Sequence, residues 1–446
     1  MSITRSSVLL LLLAFGAPSA AAERVQIIHA GQLLDQPDKP ARGPSTLLIR
    51  NDRVESVREG FVDAAAFELL PADVQVIDLR DYFVLPGLID SHVHLTTDKA
   101  GVEAQLWDVT ASVASKAYEA AVNAKKTLNA GFTTVRNLGD GDGVILALRD
   151  AVAAGQVPGP RILDAGVSIS VTAGHMDPTL GYAEGLHAAL STHDNLCDGV
   201  ESCRRAVRMQ IGRGADVIKI ATTGGVNSRI GAGVGQQMFE DEARAIIETA
   251  HLAGKKVAVH AHGGDGIKVA LRAGADSIEH GTLLDEEGIA LFKSSGAYYV
   301  PTLSIINGYN ERLAKNPEAY TGEVLKKIQW RIGITGKSLA LAVPRGVKIA
   351  FGTDAGVSLH GRNADEFELM VKFGMTAQQA IIAATMNAAD LLGVADQVGA
   401  LTPGKQADLI AVNGNPLEDV TVLKDVQWVM KGGQVFKSTI SQQLSE

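Results

Sequence analysis

Hydrophobic and polar positions along the chain follow two regimes. From about residue 83 onward, short apolar runs recur between longer stretches of helical periodicity. Eight runs have strand character: 83–91, 132–136, 161–168, 216–221, 256–261, 276–280, 297–302 and 347–353. Helical patterns lie between most of them, for example 111–128, 240–253 and 266–273, and 364–373 and 376–392 follow the last run. Apolar strands alternating with helices form the βα repeat of a parallel sheet. Eight such units over about 300 residues predict an α/β fold built on a (β/α)8 TIM barrel. A doubly wound open sheet is the alternative, but its Gly-x-Gly-x-x-Gly turn is missing.

The ends of the chain read differently. Residues 25–29, 45–50, 53–57 and 74–78 are strand-like, separated by turn signals at Gly31, Gly43 and Asn51-Asp52. Alone they make an incomplete sheet, and strand-like runs at 407–412 and 427–435 supply partners. The expected layout is therefore a composite β-sandwich domain from 23–82 and 396–446 around a barrel at 83–395. Ahead of it, Arg5, the apolar run 8–15 and the small residues ending in Ala20-Ala-Ala22 read as a secretory signal peptide, 1–22. Eight apolar residues are too few to span a bilayer. The expectation is export to the periplasm or medium, without membrane attachment after cleavage.

Composition adds little to this picture and excludes some functions. A hydrophobic content of 46% with 47 glycines fits a buried core with many tight turns. The net charge of −9, with no Lys/Arg-dense stretch carrying aromatics, argues against a nucleic-acid partner. The two cysteines, Cys197 and Cys203, lie six apart at the start of a helical stretch. Export permits a disulfide between them, and local geometry decides whether it forms.

Candidate chemistry collects at the strand ends, where barrel enzymes place their catalytic residues. His92 and His94 are spaced i, i+2, so a strand would set both imidazoles on one face. Lys219, His260, His262, His280 and Asp354 end other predicted strands, so that five of the 11 histidines fall at such positions. Lys219 sits in an apolar run where an ammonium is costly to bury. It requires either an internal salt bridge or a neutral amine able to take up CO2 as a carbamate that bridges two metals. Asp354 reads as an N-cap or as a metal ligand and proton acceptor.

Taken in order, His-x-His at 92/94, Val-Ile-Lys219, His260, Ile278-Glu-His280-Gly and Gly352-Thr-Asp354 resemble the metal site of the amidohydrolase superfamily, in its binuclear, carboxylated-lysine form. The tail 398–409 resembles that family's return to its small β domain. Gly174-His-Met-Asp177, Thr223-Gly-Gly225, Val300-Pro-Thr-Leu303 and His360-Gly-x-Asn363 are similar to its prolidase-like group, which includes Xaa-Pro dipeptidases and ochratoxin-hydrolysing amidohydrolases. The resemblance implies two divalent metal ions, with zinc favoured and manganese or cobalt open. His92, His94 and Asp354 would hold one, and His260 and His280 the other, with carboxylated Lys219 and a hydroxide bridging. Asp354 would be general acid and base. His262 has the parity of His260 and stays an alternative ligand, or else a catalytic contact to substrate or oxyanion.

His175, Arg229, Tyr298, Tyr299 and His360 are the substrate-contact candidates. The implied reaction is cleavage of an amide next to a C-terminal amino acid, in dipeptides, N-acyl amino acids or ochratoxin A-type amides. Relatives commonly form homo-oligomers. Within the superfamily, a deaminase or a hydrolase of cyclic amides or lactones is the rival, and a barrel that only binds is a third. No Gly-x-Ser-x-Gly is present, and Thr335-Gly-Lys-Ser338 is not a phosphate loop, because Arg331 stands where its first glycine belongs.

Overall fold

The computed structural model describes residues 23–191, 194–228, 233–320 and 322–440. Their first strands are β1 (Val25–Leu33), β2 (Ser45–Arg50), β3 (Arg53–Glu59) and β4 (Val74–Pro86). The barrel strands follow: β5 (Leu88–Val93), β6 (Phe132–Asn137), β7 (Arg161–Asp164), β8 (Ile218–Ala221), β9 (Val257–Ala261), β10 (Ser277–His280) and β11 (Tyr298–Val300). The last are β12 (Leu409–Val412), β13 (Val426–Lys431) and β14 (Gln434–Ser438). The signal sequence expected over 1–22 lies outside the described residues.

Both ends of the chain join in one sheet of order β14-β13-β12-β4-β1-β2-β3. The two halves of that sheet share a core, in which Ile28, Leu47 and Ile77 pack with Leu409, Trp428 and Met430. Its β3 edge meets the segment before β12, where Val54 donates to Lys405 and Gly404 donates back to Val54, both at 2.9 Å. The β-sandwich is thus a single sheet curled onto itself. The run 427–435 is a hairpin, not one strand. Gly432 and Gly433 turn it at φ 54° and 68°, values that suit glycine.

The passage into the barrel is abrupt. Pro86 ends β4, Leu88 starts β5, and a Cβ on Gly87 between them would lie 2.3 Å from Thr133 Oγ1. Only glycine allows the chain to cross so close to β6. Strands β5-β6-β7 and β8-β9-β10-β11 are parallel, and all of β5, β8, β9, β10 and β11 is buried, as expected for strands covered on both faces.

Bridges complete the ring. Ile169 pairs with Ile220, Tyr299 with Ile349, and Ala355 with Val93. Two predicted strands are therefore shorter than their apolar runs. The third stops at Asp164 because Gly166 turns it at φ 64°. The eighth is reduced to bridges, since Thr353 gives its N–H and hydroxyl to the Asp90 carboxylate and Asp354 adopts φ 57°. Cys197 and Cys203 are disulfide-bonded, with Cα atoms 4.8 Å apart. No helix of the described residues is long and apolar enough to cross a membrane.

Candidate metal centre

Six side chains converge at the C-terminal mouth of the barrel in two triads whose ligand atoms lie within 4.8 Å of one another. One is His92, His94 and Asp354, the other His260, His262 and His280. Strand parity explains the pairs on β5 and at the end of β9. The backbone is bent to present two of the others, since His280 and Asp354 sit at φ 71° and 57°, a region that non-glycine residues avoid. Strain of this kind persists where the surroundings over-determine it, typically at functional sites.

Each imidazole is oriented by a partner on one nitrogen, which leaves the other for a metal. His92 Nδ1 lies 2.9 Å from Glu279, His94 Nδ1 3.0 Å from the Gly139 carbonyl, and His280 Nδ1 2.8 Å from Thr302 Oγ1. His262 Nδ1 is 2.7 Å from Thr282 Oγ1. On His260 the nitrogens exchange roles, since Nε2 faces the Gly224 carbonyl at 3.3 Å. Asp354 Oδ1 sits 3.5 Å from His92 Nε2 and 3.3 Å from His94 Nε2.

Lys219 stands at the same centre. It is 1% exposed, and its Nζ has no hydrogen-bond partner. Desolvation lowers its pKa to about 8, although Glu279 and Asp354 pull the other way. Burial also pushes His260, His262 and His280 well below the usual imidazole range, aided by neighbouring imidazoles and cations. Burial opposes the charge on Asp354, but His92, His94 and Lys219 outweigh it and hold the carboxyl low. Burial keeps His92, His260, His262 and His280 neutral. These imidazoles and the ionised Asp354 carboxylate are donors that divalent metals take. The orphaned Lys219 amine would need to be carboxylated to join them.

A cavity of ≈ 150 Å³ opens over these residues, walled by His175, Val226, Asn227, Ile305 and Tyr309. A second, of ≈ 630 Å³, adjoins it through His94, Asn227 and Val357 and runs along Lys99, Gln105, Tyr320 and Glu323.

Comparison with known proteins agrees with this geometry. The family model described as "Amidohydrolase family" matches residues 83–436. The chain belongs to the amidohydrolase family. It is 35% identical to an ochratoxinase of Aspergillus niger, over 93% of this chain and 87% of that one. Among solved structures, a Xaa-Pro dipeptidase with bound methionine in its active site superposes with a TM-score of 0.86 at 39% identity, covering 93% of this chain and all of the other. A prolidase complexed with N-methylphosphonate-L-proline gives 0.83 at 31% identity, with 93% and 100% covered. The amidohydrolase is thus a hydrolytic enzyme of a family that uses divalent metal ions for amide hydrolysis.

Not every sequence-derived contact reaches the centre of this amidohydrolase. His175 does: its ring lies 4.1 Å from that of His260, and its Nδ1 is hydrogen-bonded to Ser228. Tyr298 does not, because it opens β11 at the end of the barrel opposite the ligands, and its hydroxyl donates to Asp390 at 2.7 Å. Tyr299 points the other way, into the helix layer against Phe292, and donates to the His280 carbonyl at 3.1 Å. His360 is buried in the rim, bound through Nδ1 to Asp98 at 2.6 Å. Arg229 lies outside the described residues.

Sequence reading missed the residues behind the ligands. Glu279 accepts from Arg136 Nη2 at 2.8 Å, from Ser277 Oγ at 2.6 Å and from His92. Asp90 accepts from Thr353 and from Asn363 Nδ2 at 2.7 Å. Their one signal in the sequence is an acid inside an otherwise apolar strand run.

Proposed function

We propose that this amidohydrolase cleaves an amide bond next to a C-terminal amino acid, and that Lys219 carries a carbamate joining two metal sites. The observation that carries the reading is the Lys219 amine, buried without a hydrogen-bond partner in the cavity that both triads of metal-type ligands line. A neutral amine adds CO2 and loses one proton. The resulting carboxylate would offer one oxygen to each side.

His92, His94 and Asp354 would hold one ion, and His260 and His280 the other, through Nδ1 and Nε2 respectively. The N/O donor set favours Zn2+. Two such ions lower the pKa of water towards about 7 and polarise a scissile carbonyl.

The remaining steps fall to the chain's own side chains. Asp354, held ionised by His92 and His94, takes a proton from the attacking water and returns it to the leaving amide nitrogen. His262, fixed by Thr282, donates towards the oxygen on which negative charge develops. His175, steadied by Ser228, walls the substrate side.

The relatives support the substrate class. One acts on Xaa-Pro dipeptides, another is a prolidase and a third an ochratoxinase. Xaa-Pro and other dipeptides, N-acyl amino acids and ochratoxin A-type amides are therefore the compounds to test. The disulfide fits the exported location proposed for the mature chain. A β domain and a barrel that divide at Gly87 and at 395/396, together with a homo-oligomer, complete the proposal. The first boundary lies beyond the expected 82/83 because Phe83 to Pro86 pair with β12.

The test is Lys219→Ala. The wild type should bind two divalent ions, show a carbamate carbon when supplied with labelled CO2, and hydrolyse members of the panel. The variant should lose the carbamate signal and bound metal, with turnover down at least about 100-fold. A variant that keeps its metal and its rate refutes the reading.

A further inference from the structure

We propose that the cavity of ≈ 630 Å³ is the acyl subsite, and that it selects a bulky, uncharged acyl group over the free ammonium of a dipeptide. This role rests on the amide-hydrolase reading above. The smaller cavity, of ≈ 150 Å³, holds the metal-type ligands. Only the larger falls within the about 300–1,000 Å³ usual for spaces that take small molecules. His94, Asn227 and Val357 line both. A substrate whose amide lies at the centre therefore finds the larger cavity open to one of its two halves.

Charge decides which half enters. Among the described residues, the charged groups lining the larger cavity are Lys99 and Glu323. The Lys99 ammonium is held by both oxygens of Glu119, at 2.6 and 2.8 Å, and lies 4.0 Å above the Trp107 ring. Glu323 is 60% exposed and pairs with Lys326 at 2.8 Å, so its charge stays in water. Apolar walls come from Ala100, Val102, Ala104, Val324 and Val357. Among the described residues, such a space offers no free counter-ion to a carboxylate or to an ammonium. The amino-acid half of the substrate always carries its carboxylate, so the acyl half is the one that fits.

The same argument separates two kinds of acyl group. In a dipeptide the α-ammonium sits two bonds from the scissile carbonyl carbon, and so would lie where the two cavities meet. The one carboxylate lining the smaller cavity, Asp354, is already engaged by His92 and His94. An ammonium placed there gives up its water without gaining a partner, which is costly. An acyl group with hydrogen in its place keeps the shape and avoids the cost. The helix Gly101–Thr110, which supplies Val102 and Ala104, has no buried residue of its own, and Val102 is 56% exposed. A large apolar acyl group takes its own surface and that of Val102 out of water together.

The experiment takes the C-terminal residue best cleaved in the panel and compares kcat/KM of the metal-loaded enzyme for three of its amides. These carry an acetyl, a 3-phenylpropanoyl or a phenylalanyl group, and the last two differ only by the ammonium. Wild type should cleave the phenylpropanoyl amide about 10-fold or more faster than the acetyl amide. It should prefer the phenylpropanoyl amide to the dipeptide by about 10-fold or more as well. Ala104→Trp fills the cavity and should bring the first ratio to within about threefold. Val102→Glu supplies a carboxylate and should narrow the second. Circular dichroism and metal content identify a misfolded variant, and the wild-type ratios test the proposal without any variant. Equal rates on the acetyl and phenylpropanoyl amides, or a dipeptide cleaved as fast as its analogue, overturn the subsite and leave the amide-hydrolase reading standing. Failure to cleave any amide of the panel overturns that reading and removes the subsite with it.

Discussion

Glu279→Gln would remove one charge from a carboxylate that serves three partners at the floor of the metal centre. The side chain is fully buried and accepts from Arg136, Ser277 and His92 at 2.6–2.9 Å. An amide keeps the shape but cannot neutralise the Arg136 guanidinium, which is itself 1% exposed. Breaking a buried pair from one side costs about 3–5 kcal/mol. Here the low end is expected, because Arg136 retains its bonds to the Ser91 carbonyl and to Ser277 Oγ. A second effect acts on His92. The carboxylate accepts a proton held on Nδ1 and so keeps Nε2 free for a metal, whereas an amide NH2 in that place favours the opposite tautomer. Loss of such an outer partner lowers metal affinity by about 10–100-fold. Urea unfolding of the metal-stripped protein measures the first effect, and titration against a competing chelator the second. The double substitution Arg136→Met with Glu279→Leu should recover much of the stability but none of the affinity. A stripped single variant within about 0.5 kcal/mol of wild type, with unchanged affinity, would refute the reasoning.

Two further outcomes follow from the same geometry. Asp354→Asn should leave the fold intact and reduce kcat about 10²- to 10⁴-fold, and steady-state kinetics on any cleaved panel compound would count against the acid–base role if kcat stayed within about tenfold. Asp164 tests the electrostatics away from the ligands: burial, with Asp140 beside it, raises its carboxyl to about 8. The native state therefore keeps a proton that the unfolded chain releases near pH 4, so this group makes stability fall as pH rises from about 4 to about 8, by roughly 1 kcal/mol per unit. Asp164→Asn should remove that slope, and urea midpoints that shift with pH identically in both proteins would exclude it.

Much of the centre was legible in the chain because barrel strands are local objects. An apolar run of four to six residues covered on both faces announces itself, and its polar terminus marks the mouth of the barrel. His92, His94, Lys219, His260, His262, His280 and Asp354 were found by that rule, and the structure brings all of them together. The same rule failed for Tyr298 and Tyr299. Adjacent residues of a strand face opposite sides, and the start of β11 lies at the end of the barrel away from the ligands. Arg331 stood out in the sequence only as the residue that breaks a phosphate-loop pattern, since nothing in the chain tells which cation is buried.

The sequence by itself determined the βα repeat, the strands contributed by both ends of the chain, and the set of ligand-type residues, because periodicity and polar strand ends are properties of a few neighbouring positions. Only the tertiary structure decided that the terminal sheet is one curled layer and that the eighth barrel strand is held by Asp90 instead of by a ladder. It alone paired Arg136 with Glu279 across 143 residues of chain, and left the Lys219 Nζ and the Arg331 Nε buried without hydrogen-bond partners. Those facts depend on which distant groups share a desolvated space, where the energy of a charge is set by its nearest counter-ion and not by its neighbours in sequence.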